Sequence, residues 1–348
     1  MRFGLFGGAS VGPRATVTDS HTYREYIDYV CEAEALGFYS VFLVEHHFTG
    51  INQVSASIGF LTYLAARTKR IRLGTAVVVL PWHNPVLLAE QAATLDLLSD
   101  GRFDFGIGRG YRHNEYHGFG IDMAEGGERY DETLEVIRKA WTTVGRFSHH
   151  GKRWHFDDII VEPAPVQKPH PPFWIGANSP ASIRRAGETG FNLLLGQLPS
   201  IDEAVENVRI YREGVESRGK VFDPHSLALC RALHVVKNLR EREEAYEMRA
   251  KFLLAAAELA GGGGHGHVAL PTTPEENRKS METSALIGDP EEIIRRLKRL
   301  EAGGLRHVLL MDVSGSREAL RTFAREVMPA FAEDAPHATV REKSRQPA

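Results

Sequence analysis

The sequence predicts one α/β domain folded as a (β/α)8 TIM barrel. Three observations carry that expectation. Eight apolar, β-rich runs alternate with helical patterns, no linker or composition break divides the chain, and 348 residues is a common size for such a barrel.

The elements follow in order. Phe3 to Phe6 is a short apolar strand. Thr18, Asp19 and Ser20 offer caps to a first helix whose Tyr23, Tyr26, Ile27, Val30 and Ala33 share a face, with Glu34 interrupting that face and Gly37 ending the helix. Val41 to Val44 is the second strand, with a helix around Ser55 to Arg67. Ile71 to Leu80 is the third, after which Asn84 caps a helix that Pro85 opens and that runs over Val86 to Leu98. The run "GRFDFGIG" is the fourth strand, and Leu134, Ile137 and Trp141 mark its helix. Phe173 to Gly176, Phe191 to Leu195, Leu227 to Val236 and His307 to Met311 complete the eight.

Two excursions interrupt this alternation. Residues 146–172 read as an insertion between the fourth helix and the fifth strand. Residues of about 260–285 read as a mobile segment, since Gly261 to Gly264 order only at a large cost in backbone entropy. A lid and a surface loop both fit that composition. The domain is expected over 1–335, with a flexible polar tail at 336–348.

Composition excludes several functions. Lys and Arg number 42 against 45 Asp and Glu, without a basic block, which argues against nucleic acid. No apolar stretch is long enough to span a bilayer, and the first residues are too short a run for a secretory signal, so neither membrane nor export is expected. Cys31 and Cys230 stand far apart without metal-ligand spacing, which fits a reducing cytoplasm.

In a barrel the chemistry lies at the C-terminal strand ends. Glu45, His46 and His47 follow the second strand in "VEHHF", where a histidine could act as base or acid near neutral pH. The plain alternative is one histidine in solvent and the other bonded to a neighbouring strand. After the fourth strand, "GIGRGY" places Arg109 among glycines that let a ligand approach the backbone; Tyr111 stands where a dinucleotide fingerprint needs glycine. Asn178, Ser179 and Ser182 follow the fifth strand and can cap a helix. Arg109 and that helix terminus together suit a phosphate bridging strands 4 and 5; ordinary capping is the bland reading. His113 and His117 flank Glu115, and His149, His150, His155, His265 and His267 lie elsewhere, but none has a recognised ligand spacing, so no metal is expected.

The chain resembles the bacterial luciferase-like flavin-dependent monooxygenases. The matching strings run nearly end to end: "RFGLF", "GFYSVFLVEHHFT", "IRLGTAVVVLPWHNPVLLAEQ", "LDLLSDGRFDFGIGRG", "PAPVQKPHPPFWIGANSPAS", "IGDPEEII" and "AGGLRHVLLM". The resemblance covers about Arg2 to Ala330 and implies a luciferase-like barrel. It also implies that His46 is the catalytic histidine, acting on flavin hydroperoxide and in base chemistry, and that Arg109, Ser179 and Ser182 bind the flavin phosphate. Asn178 matches a residue whose backbone contacts the cofactor. Ala76 and Val77 match a cis peptide beneath the flavin ring, and Gly108 stands where bacterial luciferase has a reactive cysteine, so light emission is not implied. Reduced FMN from a separate flavin reductase, O2, a small organic substrate such as an aldehyde or ketone, and a homodimer are implied with it. Phe48, Trp82 and Tyr111 are candidates for the substrate pocket. A deazaflavin-dependent hydride transfer and a non-catalytic flavin-binding protein are the other readings.

Overall fold

The structure, a computed structural model, describes residues 1–9, 17–49, 54–259 and 273–332. Eight parallel strands form its barrel: β1 Arg2–Gly7, β2 Ser40–Leu43, β3 Arg72–Thr75, β4 Phe103–Gly108, β5 Phe173–Gly176, β6 Asn192–Leu195, β7 Leu227–Val235 and β8 His307–Asp312. Each pairs with the next, and β8 pairs with β1, so the sheet closes on itself. This is the (β/α)8 barrel that the alternation predicts.

The helices around it are α1 Val17–Ala35, α2 Ser57–Arg67, α3 Pro85–Leu98, α4 His113–Gly118, α5 Gly126–Thr142, α6 Pro180–Thr189, α7 Ile201–Glu216, α8 Leu239–Leu259, α9 Pro274–Ser284, α10 Pro290–Ala302 and α11 Arg317–Glu326. The expected face of α1 is buried at Ile27, Val30 and Ala33. Glu34 leaves that face to accept the backbone N–H groups of Lys69 at 2.8 Å and Ile71 at 2.9 Å, which fixes the turn into β3. Asn84 caps α3 as expected, accepting from Val86 and Leu87 with Pro85 at the first helical position. Trp141 of α5 packs on Phe105 of β4 and Phe173 of β5, and its Nε1–H donates to the Ala89 carbonyl at 3.2 Å.

The barrel interior has a polar floor and an apolar layer above it. At the floor Arg72 grips Asp104 through two bonds of 2.7 and 2.8 Å, Trp174 donates to the same carboxylate at 3.1 Å, and Ser40 is bonded to His307 at 2.9 Å. Phe42, Trp174, Leu194, Ala228, Cys230 and Leu309 fill the layer above. The packing leaves no room for a side chain at Gly74, where a Cβ would lie 2.3 Å from the Phe42 ring.

Several expected boundaries are corrected. Thr18, Asp19 and Ser20 lie inside α1 rather than ahead of it. The third strand stops at Thr75; a cis peptide joins Ala76 to Val77, Val78–Val79 then pairs with the end of β4, and a 3-10 turn covers Leu80–Trp82. An uninterrupted apolar run carries no sign of such a break. Within 146–172, Phe147–His150 and His155–Ile159 form an antiparallel hairpin separate from the barrel, and Gln167 is tied to buried Asp96 by bonds of 2.9 and 2.6 Å. The segment expected to be mobile contains α9, started by a capping box between Thr273 and Glu276 with Pro274 next to the cap. Leu286–Gly288 then pairs with the end of β7. Gly261 to Gly264 and the tail at 336–348 lie outside the described residues.

Two predictions rest on this packing. A Cβ at Gly106 would fall 1.7 Å from the Thr75 carbonyl oxygen, whereas one at Gly59 meets nothing within 4 Å. Gly106→Ala should therefore lower the urea midpoint, by about 1–3 kcal/mol or more in stability, and Gly59→Ala should raise it by about 0.5–1 kcal/mol. Burial holds His307 down to about 3 against 6.5 in the unfolded chain. Between those values the unfolded state binds more protons, so this contribution to stability is lost as pH falls from 6.5 toward 3. His307→Asn should flatten that part of the urea-midpoint profile.

Candidate active site

The C-terminal strand ends surround a cavity of about 2230 Å3. Small-molecule pockets span about 300–1,000 Å3, so this one has room for a cofactor and a second molecule together. Its wall brings together His46 after β2, Ala76 after β3, Arg109 after β4, Ser179 after β5 and Gln197 after β6.

His46 is held by a residue of α4. Its Nδ1 lies 2.9 Å from Oε1 of Glu115, which also accepts the His47 backbone N–H at 3.0 Å, and Glu115 is buried. A carboxylate only accepts, so Nδ1 carries the ring proton and Nε2 keeps its lone pair. Burial lowers the pKa of His46; the bond to Glu115 works against that and the charge of Arg112 works with it, leaving the ring below the ordinary histidine range. That direction favours the neutral ring.

His47 is held by a different carboxylate. Buried Glu45 accepts from His47 Nε2 at 3.0 Å, from His83 Nε2 at 2.8 Å and from Trp82 Nε1 at 2.9 Å. Burial alone would raise the pKa of Glu45, but the His47, His83 and Trp82 donors outweigh it and bring the carboxyl down to about 2. Glu45 thus ties the loop after β2 to the 3-10 turn after the cis peptide. Neither histidine follows the plain alternative of solvent or strand backbone; each answers to its own carboxylate.

The aromatic candidates separate. Tyr111 lines the cavity. Phe48 and Trp82 pack outside the wall that the described residues form: Trp82 stacks on Phe119 at 5.0 Å, and Phe48, 59 % exposed, sits edge-on to Phe119 at 4.9 Å. The glycines of "GIGRG" answer first to protein packing. Gly106 makes way for the Thr75 carbonyl, and a Cβ on Gly108 would lie 2.5 Å from a methyl of Val77.

Arg109 is exposed to the cavity, and among the described residues its guanidinium has no carboxylate partner, while Tyr116 donates to its carbonyl at 2.5 Å. Ser179 caps α6 in a box with Ser182, the two hydroxyl oxygens standing 2.9 Å apart and Pro180 opening the helix. Ordinary capping is therefore realised, and the same hydroxyls also face the cavity, as does exposed Asn178. An unpaired arginine beside a hydroxyl-lined helix N-terminus is a donor set that fits a phosphate.

Sequence reasoning gave Glu115 no role, although it stands between His113 and His117, which are exposed on α4. Arg249 and Gln197 also escaped notice; both line the cavity. Among the described residues, no group of three or more His, Cys, Asp or Glu side chains is placed to hold a metal ion.

Comparison with known proteins bears on this geometry. The family model for luciferase-like monooxygenases matches residues 1–307. The oxygenase component of a flavin-dependent trigonelline monooxygenase from Acinetobacter baylyi is 31% identical, over 98% of this chain and 99% of that one. An alkanal monooxygenase alpha chain from Photorhabdus luminescens is 29% identical, over 64% of this chain and 60% of that one. The solved structure of the monooxygenase RslO1 from Streptomyces bottropensis superposes with a TM-score of 0.82 at 26% identity, covering 95% of this chain and 100% of that one. With a barrel of the same construction and a family match over most of its length, this chain belongs to the luciferase-like monooxygenases.

Proposed function

We propose that this flavin-dependent monooxygenase uses reduced FMN, supplied by a separate reductase, together with O2 to oxidise a small organic molecule in the barrel mouth. The observation that carries the reading is the convergence of the His46–Glu115 pair and the Arg109, Ser179 and Ser182 donor set on one cavity. The Acinetobacter relative is the oxygenase component of its system, which supports a partner that delivers the reduced flavin.

In this reading Arg109, Ser179 and Ser182 hold the cofactor phosphate, while Ala76, Val77, Gly108 and Asn178 border the rest of the cofactor. Reduced FMN supplies the electrons that activate O2. The chain does the remainder. Nε2 of His46 takes a proton from the reacting group, and Glu115 fixes the tautomer that leaves Nε2 free. Apolar wall residues such as Leu194, Leu198 and Tyr111 limit water around the reacting atoms. Phe48 and Trp82 act from behind His47 and Phe119, stiffening the loop that carries His46. A homodimer belongs to the same proposal, supported by Tyr63 on α2 and by Leu87, Leu97 and Leu98 on α3, all exposed. None of the described helices is long and apolar enough to cross a membrane, which is compatible with action in the cytoplasm.

Three measurements test the reading. Fluorescence titration should show tight binding of FMN, weakened about ten- to a hundredfold in Arg109→Met, the loss expected for a charge-assisted bond; preference for a deazaflavin over FMN would instead make hydride transfer the reaction. His46→Ala should keep FMN affinity and lower substrate oxidation by about 10²–10⁴-fold; unchanged turnover removes it from the mechanism. Because burial holds His46 below 6.5, the acid limb of kcat/KM should lie below that pH. Glu115 favours the protonated ring, so Glu115→Ala should lower kcat and move the limb to still lower pH; a limb that stays in place would show that Glu115 does not act through His46.

A further inference from the structure

Among the arginines that line the same cavity is one that the phosphate site leaves unused and that the protein encloses. Arg249 projects from α8 and is only 4 % exposed, yet it lines the cavity. One terminal nitrogen donates to Oε1 of Gln197 at 2.5 Å, while the other, Nη1, is buried and has no hydrogen-bond partner among the described residues. Its guanidinium stands 5.2 Å from the centre of the Phe252 ring, and among the described residues no carboxylate pairs with it. Burial correspondingly depresses its pKa to about 10.

A buried charge without a counter-ion is costly, and an orphaned donor adds to that cost. Arg231, also fully buried, bonds both terminal nitrogens to backbone carbonyls, although its Nε has no partner among the described residues. It donates to the carbonyls of Gln197 at 3.2 Å and Pro199 at 2.7 Å, so its charge serves to hold the loop after β6. That loop presents Gln197. Since Oε1 of Gln197 accepts from Arg249, its amide nitrogen remains as a further donor. Leu198 from the loop, and Phe252, Leu253 and Ala256 of α8, give the cavity apolar lining here, while Asp202, Glu203 and Glu206 of α7 line it as well.

We infer that Arg249 and Gln197 form an anion subsite that takes the carboxylate of an otherwise apolar substrate. The inference deepens the monooxygenase reading by naming its substrate class, and rests on that reading for the word substrate. Arg109 and the start of α6 already provide for the cofactor phosphate at the ends of β4 and β5, whereas Arg249 and Gln197 stand at the end of β6. A planar guanidinium with one free nitrogen, next to an amide, matches the two oxygens of a carboxylate.

The test compares benzoate with benzamide, its neutral analogue of similar shape, by calorimetric titration of the flavin-free protein. Benzoate should bind roughly tenfold or more tightly, as a charge-assisted contact predicts. Arg249→Gln should abolish that preference while changing FMN affinity less than about twofold, and Gln197→Leu should reduce it. Equal binding of the two probes by the unaltered protein overturns the inference and needs no variant. Survival of the preference in Arg249→Gln overturns it too, as does a roughly tenfold loss of FMN affinity in that variant, which would make Arg249 a cofactor contact. Absence of FMN binding with the benzoate preference intact would sink the monooxygenase reading and leave the anion subsite standing.

Discussion

Closure of the barrel is the constraint on which everything else depends. Once β8 pairs with β1, each of the eight barrel strands has a neighbour on both sides and the inward side chains must share a space of fixed size. Where two groups would collide, one is glycine: Gly74 admits the Phe42 ring, and Gly4 stands against the hydroxyl of Ser40 and a methyl of Leu309. Polar groups at the floor pair with one another, Arg72 and Trp174 on Asp104 and Ser40 on His307. With the floor sealed in this way, the large cavity that the described residues form opens at the C-terminal mouth. The position of the site is thus a consequence of packing rather than an independent feature.

At that mouth, adjacent histidines acquire different characters from their partners. Glu45 collects ring N–H donors from His47, His83 and Trp82, which spends its acceptor capacity on joining two loops. Glu115 takes one ring N–H and one backbone N–H, and the ring it holds faces the cavity. The first carboxylate joins two loops and the second orients a ring toward the cavity. The difference lies in what each group contacts, since residue types and spacing are nearly the same.

This explains how much of the molecule could be read from its sequence. Eight strands were legible because a parallel strand buried on both faces is a continuous apolar run. The Asn84–Pro85 start of α3 was legible because a cap is a local signal, and the Thr273–Glu276 box before α9 was equally local but was masked by the glycines ahead of it. The end of β3 at Thr75 was not legible in the apolar pattern, which Ala76, Val77 and Val78 continue; the resemblance alone marked the cis peptide there. His46, Arg109 and Ser179 announced themselves as ionisable or hydroxyl residues at strand ends. Glu115 did not, because its role depends on α4 folding back beside the loop after β2, a contact between residues 69 apart. Arg249 is more extreme: on α8 it reads as one charge among many, and only the fold encloses it.

The arginines around the mouth show what separates a structural cation from one available to a ligand. Arg231 is buried and donates to backbone carbonyls, so its charge is spread over a loop and its geometry is fixed from within. Arg109 is exposed and free of carboxylates among the described residues, so water can satisfy it without any ligand. Arg249 combines the burial of the first with the missing carboxylate of the second, and among the described residues nothing satisfies its buried Nη1. Of the three, it is the group whose free energy changes most when an anion arrives, because solvation lost on folding is then replaced by a direct charge contact. A cavity built this way favours anions by what it leaves unsatisfied, and it does so at a point separate from the donors that fit a cofactor phosphate.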